Sequence, residues 1–107
     1  MKRAEYKVLH DVSGQSVSFI SDVYSHYPVE AVTFVVAIGG GSAKNLDVIA
    51  QASIDKSRWV DLTGTELNIT ANGNYSFELT EIGAYNHVRL KFTFNSGAID
   101  LHLTAAS

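Results

Sequence analysis

The sequence predicts an all-β protein: one antiparallel β-sandwich of about eight strands, of jelly-roll type. Three observations carry that prediction. Apolar residues recur with a period of two, as Val88, Leu90, Phe92 and Phe94, and again as Ile99, Leu101 and Leu103. Turn-forming clusters, among them Gly39-Gly40-Gly41-Ser42, Ala71-Asn72-Gly73 and Asn95-Ser96-Gly97-Ala98, separate short apolar runs. The length, 107 residues, suits a single domain that can bury a core of its own.

Taken in chain order, residues 5–11 and 16–21 read as strands, with a single helical turn expected around Ser21–Tyr24 and Pro28 in a loop. The run 31–38 is apolar on both faces and reads as a central strand covered on both sides. Residues 43–52 have the length for three helical turns. Leu46, Val48 and Ala50 also fit a period of two, and a polar turn follows, so 46–53 is assigned as a strand. Residues 58–62 form another. Leu67–Ile69 and Tyr75–Leu79 are expected to make a hairpin, with Ile69 opposite Tyr75 and Leu67 opposite Phe77 across a three-residue loop. A second hairpin is expected between 88–94 and 99–103, pairing 94 with 99, 92 with 101 and 90 with 103. That register sets Lys91 opposite His102 and Thr93 opposite Asp100 on the wet face.

Charge and composition exclude several function classes. The net charge is −3 and the basic residues are scattered, apart from Lys2, Arg3 and Lys7, so a nucleic-acid partner is not expected. No apolar run is long enough to span a bilayer, and the start lacks the apolar core of a secretory signal. Cysteine is absent, which removes disulfides and thiol nucleophiles. No Gly-x-Ser-x-Gly elbow occurs, and a protein without catalysis is expected. Gly39 to Lys44 does not match a phosphate-binding loop, because Lys44 is followed by Asn45 and the glycine spacing fails. It reads as a flexible connection. The four histidines share no ligand spacing. No cofactor is expected.

The stretch Val48-Ile49-Ala50-Gln51-Ala52-Ser53-Ile54-Asp55-Lys56-Ser57-Arg58-Trp59-Val60-Asp61-Leu62 resembles the strand–turn–strand pattern V-Q-x-S-x-D-G-x-x-W-x-D-L of discoidin-like sandwiches. His87-Val88-Arg89-Leu90-Lys91-Phe92 is similar to that fold's Y-V-R-L strand, and Gly97 to Leu103 to its last strand. Lys56-Ser57 stands where the pattern prefers Asp-Gly. Small domains of this appearance resemble structural proteins of tailed-bacteriophage particles: capsid decoration proteins, head fibres and tail-associated modules. The resemblance implies a non-enzymatic virion protein, most simply a decoration protein on the outer capsid surface. Its partners would be the major capsid protein or other virion proteins, and copies of itself, with a trimer preferred. The alternative it implies is a carbohydrate-binding module on a tail or head fibre, and the resemblance offers calcium, held by Asp22, Asp55, Asp61 and loop carbonyls, as the alternative to no cofactor.

Within that pattern Trp59 is expected as a core or edge plug; alternation leaves its direction open, and the other reading is a stacking platform for a sugar. Tyr24, His26, Tyr27 and Tyr85 are candidates either to cap an open end of the sandwich or to make an interface, since tyrosine gives contact area at low entropic cost. Lys2 and Arg3, in an arm whose residues 1–4 are expected to be flexible, are candidates to reach a negatively charged neighbour.

Overall fold

A computed structural model of the chain describes residues 6–25, 31–41, 43–79 and 85–107. Ten strands run in order: β1 Tyr6–Gln15, β2 Phe19–Ile20, β3 Tyr24–Ser25, β4 Val32–Gly39, β5 Asn45–Ser53, β6 Val60–Asp61, β7 Leu67–Ile69, β8 Gly73–Leu79, β9 His87–Ser96 and β10 Ile99–Ala106. No helix occurs among the described residues. Ser21–Tyr24, expected as a helical turn, instead leads extended into β3, whose Tyr24 pairs with Val88.

All pairings are antiparallel, in two sheets. The four-stranded sheet has the order β1-β10-β4-β8. The six-stranded sheet has the order β2-β9-β5-β6, with β3 also on β9 and β7 also on β5. With β2 and β3 counted together, and β6 with β7, eight segments remain, and almost every link carries the chain to the opposite sheet. That is an order of jelly-roll type.

Both expected hairpins are absent, and for the same reason. β9 lies in the six-stranded sheet, where Leu90 pairs with Ala50 and Phe92 with Val48. β10 lies in the other sheet, between β1 and β4, with Leu103 opposite Val36. Likewise β7 pairs with β5 and β8 with β4. Alternation fixes which face of a strand is buried, not which strand lies beside it. Two consecutive strands can point their apolar residues inward from one sheet or from two facing sheets, and the sequence pattern is identical. Among the described residues only β5 and β6 form a direct hairpin.

The crossings are tight. Between β9 and β10, Gly97 has φ +84°, and a Cβ there would lie 2.1 Å from the Ala43 carbonyl oxygen, so only glycine fits. The connection from β4 to β5 passes close by. Lys44 in that connection is 7% exposed; its ammonium donates to the Gly40 carbonyl at 3.4 Å and to the Asn72 side chain. Asn72 in turn donates to Gly40 O at 2.9 Å. The segment read as a free glycine loop is thus tied at one end of the sandwich by a buried lysine.

The core lies between the sheets. Val32, Phe34 and Val36 of β4, Leu46 of β5, Leu90 and Phe92 of β9 and Leu103 of β10 are fully enclosed. Burying each such side chain contributes roughly 1.5–3 kcal/mol. Burial on β4 alternates, and Val35 on its outer face is 38% exposed. The expectation that both faces of this strand are covered is therefore corrected: β4 is central within its sheet, but its outer face meets solvent.

Candidate functional site

The outer face of the six-stranded sheet holds the side chains with the richest chemistry. The β5–β6 hairpin, residues 53–61, builds one end of it. Ser53 Oγ accepts the amides of Asp55 and Lys56 at 3.2 and 2.9 Å, and Asp55 Oδ1 accepts those of Ser57 and Arg58 at 2.8 and 3.0 Å. The amides of Arg58 and Ser57 hold the Asp55 carboxyl below its usual range. Lys56 has φ +66°, the left-handed conformation that glycine would supply in the Asp-Gly pattern. A lysine here holds a left-handed conformation, which carries strain for any residue with a Cβ.

This turn positions Trp59. Its indole N–H donates to Lys56 O at 3.1 Å, and the Arg89 guanidinium stands 3.9 Å from the ring centroid. The ring is half-buried and lies outside the core cluster. It fills the hairpin's edge of the sheet's outer face, with one side covered by a cation. The pair continues as a row: Arg89 Nε donates to Gln51 Oε1 at 2.9 Å, and Gln51 Nε2 donates to Asp61 Oδ1 at 2.8 Å. Partial burial pulls the Arg89 pKa downward.

At the far end of the same face, two amides clasp a carboxylate. Asn68 Nδ2 donates to Asp47 Oδ1 at 2.8 Å, and Asn95 Nδ2 donates to Asp47 Oδ2 at 2.9 Å. These bonds, Asn68 first, lower the Asp47 pKa. Between the two ends lies an open groove of ≈ 520 Å³, floored by Ile49 and lined by Asp47, Glu66, Asn68, Lys91 and Thr93 among others.

The tyrosines are placed differently from one another. Tyr24 is 5% exposed, belongs to the core, and its hydroxyl lies 2.7 Å from Ser107 Oγ. As a surface contact residue it is corrected: its ring is enclosed. Tyr85 is partly buried and packs against the same core. Tyr24 pairs with Val88, and Ser25 with His87, two residues along the chain from Tyr85. His26, Tyr27, Lys2 and Arg3 lie outside the described residues.

The carboxylates weighed for calcium are separately engaged, Asp55 by its turn and Asp61 by Gln51. Asp22 is exposed. Among the described residues no group of three or more His, Cys, Asp or Glu is placed to hold a metal ion. One hydroxyl–imidazole pair stands at nucleophile–base distance: Ser25 Oγ and His87 Nδ1, 2.7 Å apart. It is a cross-strand pair, and its hydrogen bond is exposed.

Sequence reasoning did not find Arg89, Gln51 and Asp61 as Trp59's companions, nor the Asn68–Asp47–Asn95 clasp. Arg89 was legible as a wet-face residue of its strand. Its place beside Gln51 depends on β9 pairing with β5, which alternation does not encode.

No protein-family model matches the chain, and no curated protein matches it in sequence. Among solved structures it is similar to the crystal structure of the SPBc2 prophage-derived protein YomS. The match has a TM-score of 0.62 at 12% identity and covers 100% of this chain and 97% of that one. The two chains share a fold from end to end.

Proposed function

We propose that the chain is a non-enzymatic structural protein of a bacteriophage particle, most simply a decoration protein that sits on the outer capsid surface. One observation carries the reading: the whole sandwich, with almost nothing left over on either chain, coincides with that of a prophage-derived protein. The discoidin-like pattern around Trp59 points the same way. The geometry suits adhesion. Two sheets enclose a dense core, and the polar groups are spent on holding turns and strand edges. Binding to a shell would come from complementary sheet faces and edges repeated over many copies, so that weak single contacts add.

The test is mass spectrometry of particles purified from the host that encodes the chain. Recovery at a copy number near that of the major shell protein supports decoration. A low copy number moves the chain to a tail or collar. Its absence from particles, while it accumulates in the cell, contradicts the proposal.

A second reading, a glycan-binding module, is favoured by the Trp59–Arg89–Gln51–Asp61 row beside an open groove. An aromatic ring flanked by amide and carboxylate groups suits a sugar's apolar face and its hydroxyls. Under this reading a panel of bacterial surface glycans shifts or quenches Trp59 emission. Emission that stays unchanged across the panel removes it.

A further inference from the structure

The edges of the two sheets are not treated alike. A free strand edge offers unpaired N–H and C=O groups to any extended chain, and proteins blunt such edges by brevity, bulges, lysine or proline. β2, β3 and β6 are two residues long and β7 is three. β1 is longer, but its ladder is broken between Val8 and His10 and again between Val12 and Gln15. β8 is neither short nor broken, and its one charged residue is Glu78. Its seven residues, Gly-Asn-Tyr-Ser-Phe-Glu-Leu, pair without a break from Val32–Leu79 to Ile38–Gly73. It holds no proline and no lysine, and among the described residues no strand pairs with its other side.

We infer that β8 is an interaction edge and that its occupant is β8 of a second copy, antiparallel, about a two-fold axis at Ser76. The strand is complementary to itself in this register. In an antiparallel pair, residues opposite one another must both turn their amides toward the partner or both turn them away. A two-fold centred on a residue meets this condition. Centring on Ser76 overlaps all seven residues, whereas centring on Tyr75 or Phe77 leaves two of each strand overhanging.

With Ser76 on the axis, Tyr75 of each copy lies opposite Phe77 of the other. Both rings are only partly buried in the single chain, and both already lean on the core. Aromatic cross-strand pairs of this kind are favourable. On the outer side, Asn74 lies opposite Glu78, an amide facing a carboxylate. The two Glu78 side chains are four residues apart along the pair, roughly 14 Å, so they do not repel strongly at physiological salt. The result is one continuous sheet running through both copies. The contact is small, so the dimer is weak, reversible and favoured where copies are concentrated. A self-paired edge is two-fold, and a three-fold assembly would need a different surface.

Because the chain has no cysteine, single-cysteine variants give a clean test. Ser76→Cys sets two thiols opposite each other at Cα separations of about 4.5 or 5.5 Å, within disulfide range either way. Mild oxidation then yields a covalent dimer that doubles the 11.6 kDa mass. Asn74→Cys alone and Glu78→Cys alone give none, while an equal mixture of those two variants does. Sedimentation velocity provides the second arm. The unmodified chain moves toward dimer mass as concentration rises, and Ser76→Lys holds it at monomer mass with an unchanged circular dichroism spectrum. The inference is overturned if the unmodified chain stays monomeric at millimolar concentration, or if a dimer survives Ser76→Lys. It is equally overturned if Asn74→Cys alone cross-links as readily as Ser76→Cys, or if the β8 amides respond to a foreign extended peptide but not to self-concentration.

Discussion

The two sheets reach the same end, a satisfied backbone, by different means. The four-stranded sheet uses long strands, and β4 pairs residue for residue with β10 on one side and β8 on the other. The six-stranded sheet has only two long strands, β5 and β9, and each is flanked by short pieces with a gap between them. Each gap falls at the same level, beside the paired residues Ala50 and Leu90. There hydroxyls replace the missing strand. Leu90 N donates to Ser21 Oγ at 2.9 Å and Leu90 O accepts the Ser21 amide at 2.9 Å. On the opposite flank, Ala50 N donates to Thr65 Oγ1 at 3.1 Å and Ala50 O accepts the Leu62 amide at 2.9 Å. The six-stranded sheet is thereby closed beside Ala50 and Leu90 by its own loops, while in the four-stranded sheet no strand among the described residues pairs with the outer side of β8. Hydroxyl bridges close the gaps of one sheet, and on the other β8 is, among the described residues, paired on one side only.

The contrast is broken most severely at a crossing that both sheets share. Gly97→Ala forces a Cβ into the Ala43 carbonyl at a positive φ, and should lower unfolding free energy by about 3 kcal/mol. Chemical denaturation measures it; a loss within the scatter of surface substitutions contradicts the described path. The next effect separates the sheets. Ser21→Ala leaves a buried amide without its acceptor and should cost about 2 kcal/mol, and Thr65→Val, at a part-buried site, about 1 kcal/mol. Ser76→Ala on the exposed face of β8 should stay within about 0.5 kcal/mol. Hydrogen exchange sharpens this, because Leu90 should lose protection in the first variant and Ala50 in the second. Equal costs at all three serine and threonine positions would remove the distinction.

A smaller effect belongs to the hairpin. Arg89→Ala uncovers one face of Trp59 and removes a donor to Gln51, with an expected loss of about 1 kcal/mol and a red shift in emission. The smallest is a pH effect. The folded Asp55 pKa is depressed below 3.8 by the Arg58 and Ser57 amides. Its stabilisation is therefore complete above 3.8 and is lost as pH falls through the lower folded value. Trp59 emission should report loosening of the hairpin only below that pH, and Asp55→Ala should abolish the step.

Much of this fold was legible from alternation and punctuation. The strands around 46–53, 88–94 and 99–103 are where the period of two places them, and their inward residues are the core. Partners were not legible. A jelly-roll order sends consecutive strands to opposite sheets, so the expected sandwich and the expected hairpins at 71–73 and 95–98 were in conflict. The glycine that resolves the second one, Gly97, reads from sequence as an ordinary turn residue; only the Ala43 backbone packed against it reveals a crossing. Short strands such as β3 carry too few residues for any period. Of the site, the Asp55 turn and Trp59 could be read locally. Arg89, Gln51 and the Asp47 clasp required the pairing of β5 with β9.

That pairing, with β9 and β10 in separate sheets, supports the core, the site and the free edge together. Backbone NOEs in a labelled sample test it directly. Cross-strand contacts should link Ala50 with Leu90 and Val36 with Leu103, with none between the backbones of Phe92 and Leu101. A ladder of backbone contacts joining Phe92 to Leu101 and Leu90 to Leu103 would contradict it.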